Sequence, residues 1–201
     1  MLPHINIRHL IYIDIETVPQ YAEYAQLNSA MQEMWAAKHA LLRTENETAE
    51  GGYLLRAGVY AEFAKIICIS MGFFHIDKET NKRTFRIKSF YGDDEKQLLA
   101  EFTEVINKHF SDTDLYSFCG HNIREFDIPF ICRRLLVNQL PFPALLNLSG
   151  KRPWETNNVD TMQLCRGVAL LEYDHNRSKT NDNHRVNQRF AYRSPYPQTA
   201  A

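Results

Sequence analysis

The sequence predicts an α/β domain built on a mixed sheet with helices on both faces. Three observations carry this. Leu10 to Thr17 opens as an apolar run rich in β-branched residues, as a strand buried on both faces does, and Ala64 to Ile76 is a second apolar strand. Arg83 to Tyr91 alternates apolar with polar residues, and a charged turn joins it to the run before, so the two predict a hairpin. Two further stretches, ending near Phe110 and Asn138, repeat apolar residues at helical spacing. The order strand, helix, hairpin, helix, strand, helix belongs to this fold class.

In chain order, the first strand ends at Pro19, and Tyr21 to Leu42 reads as a helix dominated by Ala, Gln, Glu, Met and Leu. Thr44 to Gly58 is polar and holds Gly51, Gly52 and Gly58, which predicts a loop. After the hairpin, Asp93 or Asp94 caps a helix whose stripe is Leu98, Leu99, Phe102, Val105 and Ile106. Leu115 to Cys119 is a short strand. Ile123 to Asn138 is a helix with Phe126, Phe130, Ile131, Leu135 and Leu136 inward, stopped by Pro141 and Pro143.

The chain has 201 residues, 44% apolar, with a net charge of −1. It suits one domain with a substantial core. No run is long enough to cross a membrane, and the N-terminus lacks the pattern of a secretory signal, so a cytoplasmic location is expected. The near-neutral charge supplies no global field for nucleic acid. It does not exclude that substrate, because a carboxylate site can hold phosphate through its metal ions. Cys68, Cys119, Cys132 and Cys165 are widely spaced, unlike a zinc site or a disulfide framework, and the first three read as buried thiols. From Asp174 to Ala201 the only sizeable aliphatic residue is Val186. Residues 1–171 are therefore expected to form the domain, with 172–201 an irregular or disordered tail.

Two places carry chemistry. Asp14 and Glu16 are two apart on a strand, so both carboxylates point to one face near its end. Paired anions there repel unless a cation joins them, and an all-oxygen pair suits Mg²⁺ or Mn²⁺. The plainer reading is an acidic pair solvated at a strand end. The second place is His121 to Phe130, where Asp127 lies in an apolar stripe beside Phe126, Phe130 and Ile131. A carboxylate facing a core needs a partner or a metal. Its plainer reading is a cap for a helix begun near Pro129.

Asp14-Ile15-Glu16-Thr17 after an apolar strand resembles the first motif of the DEDD superfamily of 3′→5′ exonucleases. Asn122-x-x-x-Phe126-Asp127 followed by Pro129-Phe130 resembles the second, in the form found in proofreading domains of family B DNA polymerases and in stand-alone bacterial exonucleases related to them. Glu62 to Ile67 and Val159-Asp160-Thr161-Met162 look like the same group, and the resemblance covers about residues 8 to 165. It implies a ribonuclease H-like mixed sheet flanked by helices, and hydrolysis of nucleic-acid phosphodiester bonds by two-metal-ion catalysis. It further implies Asp14, Glu16 and Asp127 as catalytic ligands of Mg²⁺ or Mn²⁺. Thr17, Asn122 and Phe126 would contact the substrate, expected to be single-stranded 3′ ends of DNA.

The family's fourth carboxylate, in a Tyr-x-x-x-Asp or His-x-x-x-x-Asp pattern, is not found after Asp160. Tyr173 has Arg177 four residues on, and His175 has Thr180 five on. The fold is thus read as incomplete at the C-terminus, as in a truncated or frameshifted remnant. The alternatives are a short variant completed by a partner chain and a catalytically inactive nucleic-acid-binding module.

Overall fold

A computed structural model describes residues 5–42, 47–77, 79–148, 150 and 156–166. The expected irregular tail, 172–201, lies outside the described residues. The described elements fall almost wholly within Met1–Leu164, the first of two units into which the chain divides. Strand β1 (Leu10–Pro19) leads through a 3₁₀ turn to α1 (Ser29–Leu41) and α2 (Ala49–Arg56). The hairpin β2 (Ala64–Ile76) and β3 (Arg83–Tyr91) follows, then α3 (Glu95–His109), β4 (Ser117–Gly120), α4 (Asp127–Val137) and β5 (Val159–Asp160).

The five strands form one mixed sheet in the order β3-β2-β1-β4-β5. β2 runs antiparallel to β1 and β3, whereas β4 runs parallel to β1 and β5. This is the expected mixed sheet. Ile11, Ile13 and Ile15 of β1 are buried against α3 and α4, together with Ile66, Ile69, Phe102, Ile106, Ile131 and Leu135. No helix among the described residues is long and apolar enough to cross a membrane.

A buried ion pair locks this layer. Glu95, at the start of α3, accepts from both Arg134 Nε (2.8 Å) and Arg134 Nη2 (2.6 Å) of α4. The same carboxylate accepts from Ile66 N of β2 at 2.7 Å and Asn138 Nδ2 at 2.9 Å. Arg134 Nη1 donates to Ala61 O at 3.0 Å. Each side-chain nitrogen and oxygen of the pair thereby has a partner, as a charge pair removed from water requires.

Several expectations are corrected. Among the described residues, helices cover the run 10–17 on one face only. Tyr12, Asp14 and Glu16 lie on a face that α3 and α4 do not cover, and both carboxylates are exposed. Sheet register places Ser70, Gly72 and Phe74 of β2 and Phe85, Ile87 and Ser89 of β3 on that same open face. There Tyr12, Phe74 and Phe85 meet, with Tyr12 and Phe85 rings 5.5 Å apart and Phe74 and Phe85 5.1 Å apart. Gly72 makes this possible, because a Cβ there would come within 2.4 Å of the Phe85 ring.

The predicted loop 44–58 contains α2. Thr48 caps it, its hydroxyl accepting from Gly51 N at 3.1 Å. Gly52 marks a close helix contact rather than a turn, since a Cβ there would stand 2.4 Å from the His39 ring of α1. Around this crossing Trp35, Tyr53, Ala57 and Phe63 form a second, smaller core. The first helix begins late, at Ser29, because Asn28 caps it by accepting from Met31 N at 2.9 Å. The last predicted helix likewise begins at Asp127 rather than Ile123, and its Leu136, expected inward, is exposed because it falls one residue past the buried stripe that ends at Leu135. Finally, only Cys119 is a buried thiol; Cys68 and Cys132 are half-buried.

Candidate active site

The site forms where β1 outruns its parallel neighbour. β4 pairs with β1 only from Leu10 to Tyr12, so the Ile15 N–H lacks a strand partner on that side. Asp127 supplies one: its Oδ1 accepts from Ile15 N at 3.1 Å. The second motif's carboxylate is thus fastened to the backbone between the two carboxylates of the first motif. Asp127 is buried, at 3% exposure, on the first residue of α4. Burial pushes its carboxyl up to about 6, against the pull of local backbone N–H groups, and the negative charges of Asp14 and Asp160 add to the rise.

The turn before α4 is set from a distance. Asp160, also 3% exposed, accepts from Asn122 N (2.9 Å) and Met162 N (3.0 Å) through Oδ1 and from Arg124 N (3.1 Å) through Oδ2. Burial would raise its pKa, but these donors and the Gln163 N–H outweigh it and hold the carboxyl below the usual range. Arg124 returns the clamp: its Nε donates to Asn158 O at 3.1 Å, Nη2 donates to the same oxygen, and Nη1 donates to Gln163 Oε1 at 3.1 Å. Asn122 sits in the left-handed region at φ 62°, which asparagine tolerates better than most side chains. Its carbonyl accepts from Glu125 N and Phe126 N.

The sequence-predicted residues therefore fall into three groups. Asp127 and Asp14 are within electrostatic reach of each other, and Glu16 shares the open face with Asp14. Asn122 lies in the clamped turn that leads into α4, its N–H bound to Asp160, and its Oδ1 is buried with no hydrogen-bond donor. Thr17 and Phe126 are held by the protein itself. The Thr17 hydroxyl donates to Gly58 O at 2.6 Å, and the Phe126 ring packs against Phe130. Asp160 and Arg124 are the residues that motif reading missed as site builders. Asp160 stands in the Val159-Asp160-Thr161-Met162 stretch that carries part of the resemblance, and Arg124 within His121 to Phe130, but neither stretch gave them a role in building the site.

A depression of about 210 Å³ on the open face borders Asp14, floored by Tyr12, Gly72, Phe85 and Ile87. Among the described residues no group of three or more His, Cys, Asp or Glu side chains is drawn together tightly enough to hold a metal ion. The donor set still fits Mg²⁺ or Mn²⁺ in kind. Its oxygens are hard, and none of the salt bridges among the described residues involves Asp127. Mg²⁺ commonly takes one or two protein carboxylates and leaves the rest of its coordination to phosphate and water.

The family described as DNA polymerase family B, exonuclease domain, matches residues 45–187. That match starts after Asp14 and Glu16 and runs on beyond Cys165, past the reach of the motifs. A solved structure similar to this chain is the family B DNA polymerase from the hyperthermophilic archaeon Pyrobaculum calidifontis, at 13% identity and a TM-score of 0.41. The similarity covers 78% of this chain and 16% of the polymerase, so the chain spans a small part of that protein's length. No curated protein matches. With more than half of its residues matched, the chain belongs to the family of DNA polymerase family B exonuclease domains.

Proposed function

We propose that the chain is a metal-dependent 3′→5′ exonuclease domain that hydrolyses nucleic-acid phosphodiester bonds, with Asp14, Glu16 and Asp127 as the ligands of Mg²⁺ or Mn²⁺. The observation that carries this is the buried Asp127 carboxylate, tied to Ile15 N between two exposed carboxylates and lifted to about 6 with Asp14 contributing. A fold gains nothing by placing like charges together midway along its central strand, just past the end of the β4 pairing, unless a cation joins them. Bound there, a divalent ion would supply an activated water and neutralise charge on the cleaved phosphate.

The chain's own groups would do the rest. Asp127 fixes the spacing between α4 and β1, while Asp160 and Arg124 hold the turn that presents Asn122. The Asn122 Oδ1 is an unused acceptor buried within this turn, so a small local opening would be needed before it could meet a substrate N–H or hydroxyl. The apolar depression beside Asp14 gives a terminal base a surface to stack on. A single-stranded 3′ end, whose terminal base is free to stack there, fits this arrangement.

A second reading, a nucleic-acid-binding module without turnover, is favoured by one observation: no three-ligand cluster is preformed among the described residues. One assay separates the two. The purified chain is incubated with a 5′-labelled single-stranded DNA oligonucleotide in Mg²⁺, in Mn²⁺ and in EDTA, beside Asp127→Asn. A ladder shortening from the 3′ end, dependent on metal and absent from the variant, is expected. A folded protein that binds the oligonucleotide but leaves it intact in both metals would establish the second reading instead.

A further inference from the structure

The helix-covered face carries a second recessed region, on the other side of the sheet from the Asp14 and Glu16 carboxylates and shifted toward the Ile76 end of β2. Asp14 and Glu16 lie opposite Ser70 and Cys68, whereas this groove lies around Phe73 and His75. It opens because α3 ends at His109 while β2 and β3 continue. Sheet register aligns Met71 with Lys88, Phe73 with Arg86 and His75 with Thr84 on this face. The result is a groove of about 550 Å³.

Its floor is aromatic. Phe73, Phe110 and Tyr116 form an edge-to-face row, with ring centroids 5.4 and 5.1 Å apart. Its charged lining is entirely basic: Arg8, Arg86 and Lys88, with His75 and His109. The chain has 24 acidic against 23 basic residues, so a groove with no acid is a segregation of charge rather than a reflection of composition. None of the salt bridges among the described residues uses Arg8, Arg86 or Lys88. Arg86 and Lys88 stand two apart on β3, about 7 Å along the strand, close to the spacing of successive phosphates in an extended single strand.

We propose that this groove is a second site for nucleoside phosphates, taking a short stretch of single-stranded nucleic acid with its phosphates on Arg8, Arg86 and Lys88 and a base against the Phe73–Tyr116 floor. Stacking on rings combined with cations along the backbone is how sequence-tolerant single-strand binding works. The proposal does not rest on the exonuclease reading, because the groove contains none of that site's carboxylates.

The test is a fluorescence-anisotropy titration of a short labelled oligothymidylate in EDTA, where no metal bridges DNA to the carboxylates. It compares the intact chain with Arg86→Glu/Lys88→Glu and with Lys82→Glu/Arg83→Glu. The second variant makes the same change in net charge, and its Arg83 lies on the other face of β3. The groove variant is expected to bind about tenfold or more weakly, and its salt slope to fall by about 1.4, at roughly 0.7 for each phosphate no longer neutralised. The control should stay within about twofold of the intact chain.

Equal weakening in both variants, or none in either, would overturn the proposal. If the groove variant shows no melting transition, Arg86→Gln/Lys88→Gln carries the same comparison. Displacement by thymidine monophosphate would assign the site to free nucleotides, and resistance to it would assign the site to a strand. Displacement by inorganic polyphosphate as effective as by oligothymidylate would refute recognition of the base and with it the proposal. Asp14→Asn should bind normally in EDTA whatever its effect on cleavage, so the two sites fail or succeed separately.

Discussion

Replacing Asp127 by Asn should stabilise the metal-free protein. The buried carboxyl is lifted from an ordinary value of 3.8 to about 6. At about 1.4 kcal/mol per pH unit, keeping it ionised at pH 7 costs the fold up to about 3 kcal/mol. The sign follows from proton binding. Between pH 4 and about 6 the folded chain holds the proton more tightly than the unfolded chain does. The stabilisation of the protonated form is therefore whole below the ordinary carboxylate range and lost as pH rises through about 6. Asparagine keeps an oxygen for Ile15 N and removes the charge.

For a domain of this size each kcal/mol moves the melting temperature by about 2–4 °C, so the ceiling is roughly 6–12 °C and several degrees are expected. Differential scanning fluorimetry in EDTA across pH 4 to 8 measures it. The variant should melt above the intact chain at pH 7 and together with it near pH 4. Saturating Mg²⁺ should then raise the intact chain alone, because only an ionised Asp127 offsets the ion's desolvation. If Asp127→Asn melts lower at pH 7, or differs by the same amount at every pH, the account of that carboxylate is wrong.

Three further outcomes follow from the packing. Asp160→Asn should cost about 1–3 kcal/mol in urea unfolding at pH 7, because an amide cannot accept from Asn122 N, Met162 N and Arg124 N as the carboxylate does. That cost should shrink as pH falls through the depressed pKa of Asp160. Arg134→Met leaves Glu95 buried without its cation and should cost about 3–5 kcal/mol, whereas Glu95→Leu/Arg134→Met together should cost less than either change alone. Gly52→Ala should destabilise by about 1–3 kcal/mol through the His39 clash. Its neighbour Gly51→Ala meets only Thr48 Oγ1 at 3.4 Å and should be neutral or gain up to about 1 kcal/mol in thermal melts.

What could be seen in the sequence was what short range decides. The hairpin strands emerge with the boundaries expected of them, because β-branched runs flank a turn in which Asp77 Oδ1 accepts from Glu79 N and Thr80 N. α3 begins where Asp94 caps it, accepting from Gln97 N. The misread places depend on groups far along the chain. α2 carries two glycines and looks like a loop until His39 is seen to need the space beside Gly52. The turn at 122–126 reads as a helical start until Asp160, 38 residues on, takes the Asn122 N–H. The open face of β1 was hidden because Leu10 to Ile13 is apolar on both sides, and only the placement of α3 and α4 decides which side is buried. Within the site, the carboxylates could be read from the chain. Their fastening to Ile15 N and the opposed titration of Asp127 and Asp160 could not.

β3 is the outer strand of the described sheet, with one row of backbone N–H and C=O groups facing away from β2. Such a row is a template on which a further strand can grow, and its exposed Phe85 and Ile87 would favour that growth. Arg83 sits along it on one face, and Arg86 and Lys88 on the other. A second copy adding antiparallel would bring these cations toward their own images, and the repulsion would act on both faces of the ribbon. Conditions that mask those charges, such as high salt or a bound polyanion, should therefore leave the chain most prone to form fibres, and low salt should keep it monodisperse.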